Sequence, residues 1–328
     1  MTKVTICVSG GLGFIGSNFL NKFVPKNPGI RFINIDCETY AADVNNISRE
    51  VKKAKNYKFE HIDICDTDAL EELFRDNTIT HIVNFAAESH VDHSILNPSL
   101  FVETNVLGTQ NLLDMAIKHK TFRFLQISTD EVYGSLSYTD DPWTEESPLK
   151  PNSPYAASKA AAELMVLAAH RTFGLNVGIT RSSNNFGPNQ DDSKLIPKFI
   201  SLISSGKKAP LMGKGEHIRD WLYVEDNCDG IWEALFKGGA GKIYNLGGGI
   251  EMSNLTVAHH IASLAGLDPS DYDSYIEWIP NRKGHDFRYS LDSSFAREDL
   301  DWKPRPRWVE RLKKTYKWVV KNKKSARR

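Results

Sequence analysis

The stretch KVTICVSGGLGFIGSNFLNKFV, residues 3–24, decides the fold. It begins as a short apolar run, passes Gly10, Gly13 and Gly16, and continues with apolar residues at helical spacing. A strand that enters a glycine turn and leaves as a helix is the opening unit of a doubly wound α/β fold. The glycines permit a tight turn, close approach of backbone to a ligand, and packing of helix on strand. The first turn of such a helix offers unpaired N–H groups and the positive end of its dipole, which suits a pyrophosphate.

Outward from this unit the same alternation repeats. Strand-like runs fall at residues 3–8, 31–35, 57–62, 81–85, 122–128 and 176–181. Helical apolar spacing lies between them, at 14–24, 69–74, 101–118 and 156–173. Strand then helix, repeated, gives a parallel sheet covered on both faces, so the fold class is α/β, a Rossmann-type doubly wound sheet. Beyond residue 181 the alternation loosens, with helices expected near 195–204, 224–236 and 255–265 and a strand at 242–246. The expected division is a Rossmann domain over 1–181 and a smaller mixed domain over 182–328, with about 219–248 returning to the first.

Composition sets bounds. The chain has 328 residues, 41% apolar and 25% charged, with 41 Lys plus Arg against 41 Asp plus Glu. Such a balance excludes a protein that works mainly as a polycation on nucleic acid. Residues 303–328 hold twelve basic residues and one acid, Glu310, which reads as a solvated helix and frayed tail, or as a weak contact for an anionic surface. No stretch approaches the ~18–20 apolar residues that span a bilayer, so no membrane role is expected. The first residues lack the pattern of a secretory signal. Cys7, Cys37, Cys65 and Cys228 form no CxxC pair. Reduced thiols in a cytoplasmic protein are expected, and no metal site.

Asp36 stands twenty residues after Gly16, at the end of the second strand. A carboxylate there accepts the ribose hydroxyls of an adenosine and repels a 2′-phosphate, which favours NAD over NADP; an ordinary turn residue is the bland alternative. Asp63 and Ile64 are placed to hold adenine, or merely precede a helix cap at Asp66. Tyr155 and Lys159 are four apart in PYAASKAAAEL and share one helix face. A nearby ammonium lowers the pKa of a phenol, so Tyr155 is a candidate base. The fifth strand ends in Ser128, Thr129, Asp130 and Glu131, at the sheet edge where open α/β folds bind ligands. If one acid stays protonated and the other ionised, the pair can move two protons in opposite senses; the bland alternative is that Asp130 caps a turn and Glu131 is solvated.

These residues together resemble the extended short-chain dehydrogenase/reductase family. AAESHVDHS at 86–94, ISTDEVYG at 127–134, SNNFGP at 183–188, LIP at 195–197, IRDWLYVED at 218–226 and GHDFRY at 284–289 resemble its nucleotide-sugar 4,6-dehydratases. The resemblance implies an NAD-dependent hydro-lyase. It would convert an NDP-glucose, dTDP-glucose first and UDP-glucose next, to the 4-keto-6-deoxy sugar used in rhamnose-type deoxysugar biosynthesis. By the same resemblance Tyr155 takes the proton from the hydroxyl at carbon 4 as the cofactor takes the hydride. Glu131 removes the proton at carbon 5, Asp130 protonates the hydroxyl leaving carbon 6, and the hydride returns there. Thr129 would hold the oxygen at carbon 4.

Carried over by position, the cofactor set is Phe14, Ile15, Asp36, Cys37, Glu38, Thr39, Asp63, Ile64, Ala86, Ala87, Thr104 and Asn185, with Tyr155 and Lys159 shared. The sugar nucleotide would meet Ser89, Thr129, Asn184, Lys194, Leu195, Pro210, Leu211, Met212, Arg219, Asn254, Arg288 and Tyr289. Arg219 suits a diphosphate through its two-pronged fork, or forms an ion pair with Asp220 or Asp226. Asn105 would hold a water beside Lys159, or is a satisfied buried amide.

The sequence departs from the family pattern at Ser9, at Phe186, in CETYAAD after β-strand two, and in NRKGHDFRY at 281–289, where Lys283 and Phe287 lie. A 4-epimerase or decarboxylase on the same scaffold is one alternative, and a non-catalytic NAD-binding protein another. Two long amphipathic helices, about 98–119 and 155–173, would pair with a second copy as a four-helix homodimer interface.

Overall fold

The computed structural model describes residues 4–281 and 284–325. Lys3, Lys283 and the end of the basic segment, 326–328, lie outside the described residues. Among the described residues twelve strands run in chain order: β1 Thr5–Ser9, β2 Arg31–Asp36, β3 Tyr57–His61, β4 His81–Asn84, β5 Arg123–Thr129, β6 Val177–Ser182, β7 Asn184–Phe186, β8 Ala209–Met212, β9 Ile218–Tyr223, β10 Lys242–Leu246, β11 Glu251–Ser253 and β12 Ile276–Ile279. Seven form one sheet in the order β10-β6-β5-β4-β1-β2-β3, every neighbouring pair parallel. The six strands expected before residue 181 are all present, shifted by no more than two residues at either end.

Alternate residues of each strand feed opposite faces, as the pleat requires. In β1, Ile6 and Val8 join the core beneath helices Phe14–Lys26 and Val224–Phe236, while Cys7 joins the core beneath Thr67–Asp76, Gly108–Lys118 and Pro154–Phe173. A row of polar side chains interrupts this apolar interior. Ser9, Asn84 and Gln126 stand side by side on β1, β4 and β5. Ser9 Oγ donates to Asn84 Oδ1 at 2.7 Å, and Asn84 Nδ2 donates to Gln126 Oε1 at 2.9 Å and to Thr109 Oγ1 at 3.1 Å.

The single helix expected over 101–118 is three pieces. Pro98–Phe101 is followed by a wider π-helical stretch, Val102–Leu107, and then Gly108–Lys118. Asn105 sits in the widened turn. Its amide receives the Glu88 N–H at 2.8 Å and donates to Glu88 O at 3.0 Å and Ser158 Oγ at 2.8 Å. Asn105 is therefore the satisfied buried amide of the two readings, bound to backbone and to Ser158. Single-turn π insertions of this kind recur beside functional sites.

The later part of the chain packs a third core from Phe199, Ile200, Trp221, Ile261 and Trp308, among others. Its strands form a β11-β9-β7 sheet and a parallel β12-β8 pair. β10 and helix Val224–Phe236 instead join the large sheet and its core.

Candidate active site

A cleft of about 370 Å³ runs over the carboxyl ends of β1, β2, β4, β5 and β6. Its floor is the glycine turn. A Cβ on Gly10 would lie 2.6 Å from Ala86 N, and one on Gly16 would lie 2.4 Å from Gly10 O. Gly10 also has φ +71°, which side chains rarely adopt. Gly13 precedes the helix with no side-chain cap, so the first N–H groups face the cleft unscreened. This cradle is what a dinucleotide pyrophosphate needs, and the residues present fit NAD.

Asp36 is buried at the end of β2. One oxygen receives the Leu12 N–H at 2.9 Å and the other the Glu38 N–H at 2.9 Å. Burial raises its pKa and those two N–H bonds oppose the rise. The carboxylate thus braces the glycine turn from behind while bordering the cleft, along with Cys37, Thr39, Asp63 and Ile64. Asp63 bonds Cys65 N–H, and Asp66 caps helix Thr67–Asp76. Phe14, Ile15, Ala86, Ala87, Thr104 and Asn185 line the middle of the same cavity.

At its far end the cavity meets Thr129, Asp130, Glu131, Tyr155 and Lys159. Thr129 ends β5, and its Oγ1 accepts the Glu131 N–H, so Asp130 and Glu131 turn upward as a short 3₁₀ turn, Asp130–Tyr133. Helix Pro154–Phe173 starts with Ser153 as N-cap and Pro154 in its first turn, which places Tyr155 and Lys159 on its inner face. Thr129 stands beside the Tyr155 phenol and favours its charged form.

Asp130 is 2% exposed, and its Oδ2 has no hydrogen-bond partner among the described residues. Burial, then the Glu131 and Asp220 charges, raise its pKa well above the ordinary carboxylate value, which favours the protonated form. Lys159 is lowered to about 8 by burial. Its Nζ donates to Ile127 O at 2.6 Å. The expected lowering of the Tyr155 phenol is not what these surroundings produce: burial and the Glu131 carboxylate raise it. A neutral-pH base at Tyr155 therefore needs added positive charge in the cleft.

Ser89, Asn184 and Lys194 line the outer part, and Lys194 Nζ donates to Ser89 O at 3.1 Å. Glu38, Leu195, Pro210, Leu211, Met212, Arg219, Asn254, Arg288 and Tyr289 do not line this cavity. Arg219 donates to the carbonyls of Ile218, Phe287 and Asp286 and lies 4.4 Å over the Tyr289 ring. Arg288 grips Glu251 with two hydrogen bonds, at 2.5 and 3.0 Å, and holds the carbonyls of Ser137 and Asp140. Both guanidinium groups organise loops beside the cleft. A second, more open cavity of about 570 Å³ borders them at Ser135, Asn152, His217 and Asp286.

Some lining residues escaped sequence reasoning. Glu88 and His90 belong to AAESHVDHS, yet no periodicity marks them. His90 Nε2 meets Ser193 Oγ at 2.6 Å and Asp191 at 3.5 Å, and its ring stacks on Tyr40, tying the 189–194 loop across the cleft mouth. Among the described residues no group of three His, Cys, Asp or Glu could hold a metal ion, and no helix is long and apolar enough to cross a membrane.

Comparison with known proteins sets this geometry in context. The model of the family described as GDP-mannose 4,6 dehydratase matches residues 7–315. The dTDP-glucose 4,6-dehydratase of Streptomyces niveus is 43% identical over 321 residues, covering 97% of this chain and 93% of its own. That of Haemophilus influenzae is 43% identical over 339 residues, covering 98% and 100%. The crystal structure of DesIV, a dTDP-glucose 4,6-dehydratase from Streptomyces venezuelae solved with NAD bound, superposes with a TM-score of 0.93 at 41% identity, covering 98% of each chain.

Proposed function

The chain belongs to the GDP-mannose 4,6 dehydratase family, and from that premise we propose that it is an NAD-dependent hydro-lyase converting an NDP-glucose to the 4-keto-6-deoxy sugar. The observation that carries the reading is Asp130, a buried acid with an unpartnered Oδ2 and a raised pKa, beside Glu131 at the end of a dinucleotide cleft. Epimerisation at carbon 4 has no use for such an acid. Elimination of water has, because hydroxide is a poor leaving group unless it is protonated as it departs.

NAD, held by the glycine turn, Asp36 and the Tyr155 and Lys159 end of the cleft, would supply a hydride acceptor for carbon 4, positive charge within the cleft, and later a hydride donor for carbon 6. Tyr155 takes the carbon-4 hydroxyl proton, with the buried Lys159 ammonium one helical turn away. Thr129 orients that oxygen. Oxidation at carbon 4 acidifies the hydrogen at carbon 5, which Glu131 removes. Asp130 gives its proton to the carbon-6 hydroxyl, and water leaves. Opposite proton movements require the two acids to begin in opposite protonation states, and the raised pKa of Asp130 supports that assignment.

That the named relatives are dTDP-glucose 4,6-dehydratases supports dTDP-glucose as substrate; UDP-glucose is the next candidate, and a rhamnose-type deoxysugar is the proposed end use. The remaining assigned cofactor and sugar-nucleotide contacts, and a division into domains 1–181 and 182–328, belong to the same proposal; the separate small sheets and third core support the division. We assign a homodimer through helices near 98–119 and 155–173. Leu96, Val102, Leu107, Leu164 and Phe173, all at least half exposed, support it. Four free cysteines support a reducing compartment, the cytoplasm.

Incubation with dTDP-glucose and with UDP-glucose, followed by mass spectrometry, tests the reading. The expected product has lost one water, and deuterium placed on carbon 4 reappears in the new methyl group. No water lost from any NDP-hexose would sink it.

A further inference from the structure

We infer that Arg181 is a positioning residue that locks the turn carrying Asp130 and Glu131 to the helix carrying Tyr155 and Lys159. The lock is geometry; the steps it serves are those of the dehydratase reading above. Arg181 lies on β6, with Ser128 of β5 and Asn245 of β10 as its register neighbours, and is 3% exposed. Its Nε donates to both oxygens of Glu163, at 3.1 and 3.0 Å, and one Nη donates to Glu163 Oε2 at 2.6 Å. The other Nη donates to the Tyr133 hydroxyl at 2.6 Å, and the guanidinium plane lies 4.6 Å from the Tyr133 ring centre. Tyr133 in turn donates to Asn245 Oδ1 at 2.8 Å.

Each end of this fork is a catalytic segment. Tyr133 closes the 3₁₀ turn that begins at Asp130. Glu163, fully buried, stands one helical turn beyond Lys159, which stands one turn beyond Tyr155. The Glu163 carboxylate also favours the charged form of Lys159, against the burial that disfavours it. One planar cation, fixed to the sheet, therefore sets both the spacing of acid pair from base and the charge behind the base. A buried ion pair contributes little net stability over apolar packing, so its rigid two-sided geometry is the better reason for its presence. Lysine cannot replace it, because an ammonium lacks the fork.

The test uses the purified full chain and three substitutions. Tyr133→Phe removes one anchor and keeps the ring; Glu163→Gln removes the other charge; Arg181→Lys keeps the charge and loses the fork. With Tyr133→Phe, amide hydrogen exchange rises over 130–134 and stays unchanged over 156–163. In single turnover, oxidation at carbon 4 keeps its rate while loss of water slows at least ~10-fold, so reduced cofactor accumulates. With Glu163→Gln, the oxidation step slows, and the alkaline limb of its pH profile moves to lower pH because Lys159 loses its proton more readily. Arg181→Lys shows both defects.

Equal slowing of both steps in every variant, or lowered melting temperature with unchanged step rates and exchange, overturns the lock. If Arg181→Lys fails to fold, the two single-anchor variants decide alone. A wild-type chain that dehydrates nothing defeats the dehydratase reading, while the exchange pattern still decides whether the lock exists.

Discussion

Asp130→Asn is the perturbation with the most to say. The amide copies the shape of the protonated acid but carries no proton to give. Asp130 is 2% exposed, and burial followed by the Glu131 and Asp220 charges raises its pKa in the folded chain. A carboxylic acid whose folded pKa is raised stabilises the fold fully below its unfolded value, about 4, and loses that contribution as pH climbs through the folded pKa. The Asn variant has no such loss. Between those two pKa values the variant should therefore gain on the wild type by about 1.4 kcal/mol per pH unit. That is roughly 2–4 °C of melting temperature per unit. The assay is thermal unfolding of both proteins from about pH 5 to about pH 8, with turnover measured on the same samples. Turnover should fall about 10²- to 10⁴-fold, the worth of a general acid, with carbon-4 oxidation preserved. A gap in melting temperature that stays flat with pH would show that Asp130 titrates normally and refute the neutral-acid reasoning. Near-normal dehydration by the variant would refute the acid role itself.

Other expectations follow from single contacts. Gly16→Ala places a methyl 2.4 Å from Gly10 O and 2.8 Å from Gly11 Cα, both backbone, so the turn must open; calorimetric titration should show NAD binding weakened at least ~10-fold, or about 1.4 kcal/mol. Asp36→Ala removes the acceptor for Leu12 and Glu38 N–H groups; about 1.5–3 kcal/mol of cofactor affinity should go, and discrimination against NADP should shrink in the same titration. Leu164→Arg puts a charge on a 57% exposed apolar position of the helix assigned to the dimer, and light scattering should report a mass near the 37.0 kDa of one chain.

What the sequence made legible is what short-range chemistry determines. The glycine turn, Asp36, the Thr129-Asp130-Glu131 triplet and the Tyr155/Lys159 pair all lie in one cleft because each sits at the carboxyl end of a strand or the start of the following helix. The inner strands of the large sheet are readable because burial on both faces makes them largely apolar runs, whereas the edge strand β3 is partly exposed and mixed in sequence. β7 and β11 have three residues each, and β8 and β12 four, so no period can show in them; long-range pairing alone places them. The widened turn at Val102–Leu107 follows from Asn105 finding Glu88 and Ser158, partners far away in the chain. Arg219 reads as a diphosphate ligand or an ion-pair partner, and Arg288 as a sugar-nucleotide contact; in the structure Arg219 donates to loop carbonyls and Arg288 to Glu251 and loop carbonyls. An arginine's type advertises an anion, but which acceptor it meets is settled by tertiary packing.

The row of Ser9, Asn84 and Gln126 has a consequence for anyone who would redesign this interior. Apolar positions around it can be exchanged one at a time for others of similar volume. These three cannot, because removing any one strands an amide or hydroxyl in a dry place, at about 1–3 kcal/mol. They also forbid a sliding of β1, β4 or β5 past one another, since the partners would no longer coincide. Simplification would have to be done in concert, all three sites and Thr109 together, and the alignment of the strand tips beneath the cleft would then depend on hydrophobic fit alone.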